Sequence, residues 1–148
     1  MPNARTKKLA LGKNFLRIKT MLLSKCESEF SRSASELSTA ISAVKNGGSC
    51  ANSPSCLGYV CDLGIYLKLL QTLWRRYVEE GKQQQFLDNL ATIVSSIVKM
   101  ANMAHTLCKG GEAADIQYIC KKANALESSL KRVGGDERQG NDDQLMLF

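Results

Sequence analysis

Proline is scarce in this chain, with 2 among 148 residues, and aromatic side chains make up only 6%. A β-sandwich punctuated by Pro-rich turns is therefore not expected. No stretch approaches the roughly 20 uninterrupted apolar residues that span a bilayer. A secretory leader is not expected either: Leu9 to Leu11 is too short an apolar run, and Arg17 and Lys19 interrupt Leu16 to Leu23. The one histidine is His105, and there is no Gly-rich phosphate loop, metallohydrolase motif or Ser-centred elbow. The sequence is accordingly read as non-enzymatic and without a cofactor. What is present, 44% hydrophobic and 23% charged residues, is the composition of one globular domain long enough to bury a core.

The net charge of +6 is unevenly distributed. Residues 1–20 carry Arg5, Lys7, Lys8, Lys13, Arg17 and Lys19 and no acid, whereas residues 21–148 carry 14 basic and 14 acidic residues. The excess is a basic arm on a neutral body. Such an arm suits salt-sensitive contact with nucleic-acid phosphates, and its other reading is a solubilising first stretch of helix. It lacks a lipidation signal that would make it a membrane anchor, and it is poor in the Ser and Arg of a mitochondrial presequence. A cytoplasmic protein without a membrane partner is expected.

Apolar spacing of three and four predicts an all-α fold of four to five helices over residues 6–133. The first stripe runs through Phe15, Ile18, Leu22, Cys26, Phe30, Ala34, Leu37, Ile41 and Val44, and Asn46-Gly47-Gly48 stops it. Ser33-Ala-Ser-Glu36 resembles a capping box, so a break near Arg32 is the alternative. Ser53-Pro54 predicts the start of a second helix, apolar on nearly every side and therefore expected at the centre. Gly58 and Gly64 inside it are expected to allow close helix packing. A third helix runs from about Gln83 to Cys108, with Phe86, Leu90, Ile93, Val94, Ile97, Met100, Ala101, Ala104 and Leu107 on its buried face. The fourth, from about Glu112 to Val133, shows a narrow stripe of Ile116, Ile119, Ala123, Leu126, Leu130 and Val133. Gly134-Gly135 is expected to end it, followed by a polar linker over residues 134–143.

The six cysteines are Cys26, Cys50, Cys56, Cys61, Cys108 and Cys120. In a reducing compartment all are expected as thiols, a disulfide from Cys50 to a helix requiring an oxidising one. A Zn or Fe–S site using Cys50, Cys56 and Cys61, with Cys108, Cys120 or His105 as the fourth ligand, is a rival reading. It lacks the Cys-x2-Cys chelate usual in compact metal sites, and no metal ligand is assigned. Trp74-Arg75-Arg76-Tyr77 is read as two core aromatics flanking solvated arginines rather than as a nucleic-acid stacking patch.

The sequence closes on Gln144-Leu145-Met146-Leu147-Phe148, three apolar anchors and a methionine behind a polar stretch. This pentapeptide resembles the bacterial sliding-clamp-binding motif, Gln-Leu-Ser/Asp-Leu-Phe. The resemblance implies a bacterial-type sliding clamp as partner. Gln144 would then hydrogen-bond at the edge of the clamp pocket, Leu145 would lie between subsites, and Leu147 and Phe148 would fill the deep apolar one. Met146 departs from the usual Ser or Asp, and the match covers five residues, so it points to a partner rather than to an activity. The expectation is a non-enzymatic accessory protein of DNA replication or repair that binds the clamp through residues 144–148 and DNA through its arm. The alternative is a helical nucleic-acid-binding subunit of a larger nucleoprotein complex, comparable in size and class to the small subunits of CRISPR effectors.

Overall fold

A computed structural model describes the backbone of residues 4–48, 53–108 and 114–147, and the side chains within them except at 4–13, 19–20, 23 and 135–147. Four helices, α1 (Ala4–Lys45), α2 (Pro54–Glu79), α3 (Gln84–Leu107) and α4 (Ala114–Leu147), account for the described residues, with no strand among them. The expected all-α bundle is thus what forms.

Local chemistry sets the ends. α1 stops where Asn46 and Gly47 turn, Gly47 adopting φ +134° and the Gly48 N–H donating to the Val44 carbonyl at 2.9 Å. α2 begins with Pro54 directly after Ser53, whose hydroxyl accepts from the Cys56 N–H at 3.4 Å. It ends as Gly81 takes φ +97° and the Lys82 N–H returns to the Tyr77 carbonyl. The expected break in α1 near Arg32 is absent, because Phe30, Ala34 and Leu37 keep one buried face in register across it. α4 runs on past the Gly134-Gly135 pair, at which a stop was expected, to Leu147. The side chains of the expected linker and terminal pentapeptide lie outside the described residues, as do the loop at 49–52 and the stop at Lys109-Gly110-Gly111.

The helices run up, down, up and down, α1 packing on α2 and α4, and α3 packing on α2 and α4. Phe30 against Trp74 and Gly64 against Ile41 fix α1 and α2 antiparallel, and the ion pairs Glu36–Lys122 and Glu29–Arg132 do the same for α1 and α4. One core threads the bundle, from Cys26, Phe30, Leu37 and Val44 of α1 to the full predicted stripe of α4, all of it buried. Of the expected α3 face Leu90, Val94, Ile97, Ala101 and Ala104 are buried, Ile93 and Met100 are partly buried against the core, Leu87 replaces Phe86 in the core, and Leu107 is exposed. Phe86 is half-buried, with the Arg76 guanidinium 5.8 Å over its ring.

Three expectations are corrected. α2 is one wall of the bundle rather than its centre: a helix in a ring of four turns one side to solvent, and here that side carries Ile65 and Leu69. Gly58 packs against nothing, a Cβ there meeting open space, while Gly64 touches Ile41 at ordinary contact distance. The apolar stripe of α1 is buried only from Cys26 onwards. Ile18 and Leu22, expected in the core, are 58% and 53% exposed because α1 overhangs the end of the bundle.

Candidate functional site

The antiparallel pairing of α1 and α4 brings the start of α1 and the end of α4 to the same end of the bundle. The basic arm and the terminal pentapeptide, 124 residues apart at their nearest, therefore leave the core from one side. Of the expected phosphate-contacting residues, Arg17 is exposed on the α1 overhang. The side chains of Arg5, Lys7, Lys8, Lys13 and Lys19, and of Gln144, Leu145, Met146, Leu147 and Phe148, lie outside the described residues.

Along the α1–α4 seam lies a polar groove of about 520 Å³. Lys122 donates to the Glu36 carboxylate at 2.6 Å, Arg132 pairs with Glu29 at 3.3 Å, and Ser33 and Ser129 meet hydroxyl to hydroxyl at 3.4 Å. The hydrogen bond from Lys122 is the main cause holding the Glu36 carboxyl below its ordinary range, against the opposing effect of burial and with help from the charges of Lys122 and Arg32. The same bond raises the Lys122 amine above its own. Lys122 and Arg132 of α4 each face an acid of α1, so these two pairs clasp α1 to α4, while Arg32 lies 4.0 Å from Glu36 within α1. Sequence reading missed this clasp, since the partners stand 86 and more residues apart and no local spacing marks them.

A second groove, of about 330 Å³, opens between α1 and α2. Trp74 forms its floor: its ring lies 4.2 Å from Phe30 and 5.3 Å from Tyr77, and its Nε1 donates to the Ser31 hydroxyl at 3.0 Å. The core reading of Trp74 and Tyr77 holds, with Arg75 and Arg76 exposed beside them. Arg76 is engaged by Glu80 at 3.5 Å.

The cysteines depart from expectation. Cys56 is disulfide-bonded, where six thiols were expected, and the thiol of Cys108, which is not its partner in that bond, sits 3.6 Å from its sulfur across the α2–α3 contact. Residue spacing does not record which sulfurs a fold brings together, and Cys50 lies outside the described residues. The bond removes Cys56 from the thiolate trio that a metal would need. Among the described residues no group of three or more His, Cys, Asp or Glu is placed to hold a metal ion. Cys120 donates to the Ala101 carbonyl at 3.2 Å, and burial pushes its thiol up. His105 is partly exposed, with Nε2 buried and making no hydrogen bond. No described helix is long and apolar enough to cross a membrane.

Comparison with models of protein families, with curated proteins and with solved structures finds no match to this chain.

Proposed function

We propose that this protein is a non-enzymatic clamp-binding accessory factor of DNA replication or repair. It holds a bacterial-type sliding clamp through Gln144, Leu145, Met146, Leu147 and Phe148 and contacts DNA through the basic residues of its first twenty. The observation that carries this reading is the pentapeptide sequence itself, four of whose five residues match the clamp-binding pattern. The fold supports it in one respect. Because α1 and α4 are antiparallel neighbours, the peptide and the basic arm leave the bundle at one end, an arrangement compatible with reaching a ring and the DNA inside it together. Two weak contacts to one assembly then reinforce each other through effective concentration, without either being strong alone.

The test is binding of the purified 148-residue chain to a bacterial sliding clamp, beside a chain lacking residues 144–148 and one with Leu147→Ala and Phe148→Ala. Binding that both alterations abolish supports the reading. Equal binding by all three chains, or none by any, overturns it.

A further inference from the structure

The contact of α2 with α3 brings together two cysteines that stand 52 residues apart. Cys56, the third residue of α2, is wholly buried, and Cys108 caps the end of α3 at 7% exposure. Their sulfurs are 3.6 Å apart. Cys56 is already in a disulfide and has no S–H to give, whereas Cys108 is a thiol and not its partner in that bond. The hydrogen between the two sulfurs is therefore carried by Cys108. A bond between them, at about 2.05 Å, needs an approach of about 1.5 Å, a shift that side-chain rotation supplies.

The other described thiols are placed elsewhere. Cys61 follows Cys56 on α2 at about 140° around an ideal helix, so the two point to different faces. Cys120 is held by its hydrogen bond to the Ala101 carbonyl. Cys26 belongs to the opposite end of the bundle, where its neighbour Glu27 meets Lys82 beyond the end of α2.

We infer that Cys108 exchanges into the Cys56 disulfide, giving a Cys56–Cys108 bond that staples the first turn of α2 to the end of α3. Cys108 yields its proton to solvent, and its thiolate forms a bond to the Cys56 sulfur. The bond from Cys56 to its present partner breaks, and that partner's sulfur leaves as a thiolate and takes up a proton. Cys108 is oxidised and the former partner reduced to the same extent, so no external oxidant or reductant enters. During the step negative charge spreads over three sulfurs, and the central one belongs to the N-terminal turn of α2, where the helix dipole favours it. Burial of Cys108 keeps its thiolate scarce, so the exchange belongs to the range of minutes to hours. The chain then has two covalent forms of equal oxidation level, one with α2 and α3 held by packing and one with them bonded. Neither the clamp nor DNA is needed for this step.

Disulfide mapping on the full chain tests it. Protein purified without reductant is held at about pH 8.5, near the ordinary thiol pKa, and sampled over hours. Each sample is quenched in acid, its thiols are alkylated after unfolding, and it is digested with trypsin. Residues 46–68 form one tryptic peptide, which contains Cys56, and residues 100–109 form another, whose sole cysteine is Cys108. Exchange predicts a crosslink between these two peptides that grows with time, assigned by fragmentation to Cys56 and Cys108, with a matching loss of alkylated Cys108. In Cys108→Ser and Cys108→Ala the crosslink is absent and Cys56 keeps its first partner. Circular-dichroism melts verify that these variants fold, and the wild-type time course stands without them. Complete alkylation of Cys108 in every sample overturns the inference. So does a crosslink that runs from Cys61 instead, or a scatter of pairings like that of the urea-unfolded chain, since neither would come from the Cys56–Cys108 contact.

Discussion

Trp74 shows how a single side chain can tie two helices and satisfy its own polar atom. Its ring packs at a tilt against both Phe30 and Tyr77, and its one N–H reaches Ser31 on α1. Truncation should therefore be expensive and asymmetric. Phe30→Ala or Trp74→Ala is expected to cost about 3–5 kcal/mol in urea unfolding, the range for large buried aromatics. Ser31→Ala should cost about 1 kcal/mol, one hydrogen bond at the rim of the core. Equal losses at Ser31 and Trp74 would show that the hydrogen bond, not the packing, holds the α1–α2 contact. The Glu36–Lys122 pair makes a prediction of direction. Because the carboxyl is lowered in the folded state, its contribution to stability is complete above the ordinary carboxylate range and lost as pH falls through its lowered folded value. Because the amine is raised, its contribution is complete below the ordinary amine range and lost as pH rises through its raised value. The clasp is thus in force across neutrality. In Lys122→Gln the Glu36 carboxyl is expected to titrate at higher pH than in the wild type, which side-chain carboxyl NMR would read directly.

Among the elements, α4 was the most legible in sequence and α1 the least. The six stripe residues of α4 all enter the core, because a narrow stripe admits one orientation only. In α1 the same periodicity continues from Phe15 to Val44, and periodicity records which face is apolar without recording how far the neighbouring helices reach. α2 failed in the opposite way, its apolar residues all round suggesting full burial when four helices in a ring leave each a solvent side. The ends were clear because Gly, Pro and Ser act locally, as at Ser53-Pro54 and Gly81. The same local chemistry makes glycine substitutions diverge. Gly58→Ala places its methyl in open space inside α2 and is expected to stabilise by about 0.5–1 kcal/mol. Gly48→Ala would bring its Cβ to 2.7 Å from the Val44 Cα and 2.6 Å from the Asp115 carboxylate, so it must displace backbone and should lower the melting temperature. Thermal unfolding of the two variants side by side distinguishes packing from propensity, and a destabilised Gly58→Ala would refute the open site.

At the scale of the whole molecule the division of charge meets the division of packing. Among the described residues the buried core starts at Cys26, whereas the excess positive charge is confined to residues 1–20. The sequence showed the charge split plainly, but only the antiparallel α1–α4 seam shows that this charge and the residues after Gly134 share one end of the bundle. Deleting residues 1–20 removes none of the core side chains among the described residues, so the melt of the remaining chain should stay within a few degrees of the full one. What should change is attraction to nucleic acid. If all six basic residues neutralise phosphates, the logarithm of the association constant for duplex DNA should fall with the logarithm of salt concentration at a slope of about −5, near 0.9 per neutralised phosphate. The truncated chain is neutral and should show little binding and a slope near zero. Anisotropy titrations on one duplex at several salt concentrations measure both. A steep slope that survives the deletion would move the DNA contact onto the helix faces, where Arg75 is exposed and Arg76 would have to leave Glu80 to take part. That outcome would favour a subunit that lies along nucleic acid over one that reaches it by an arm.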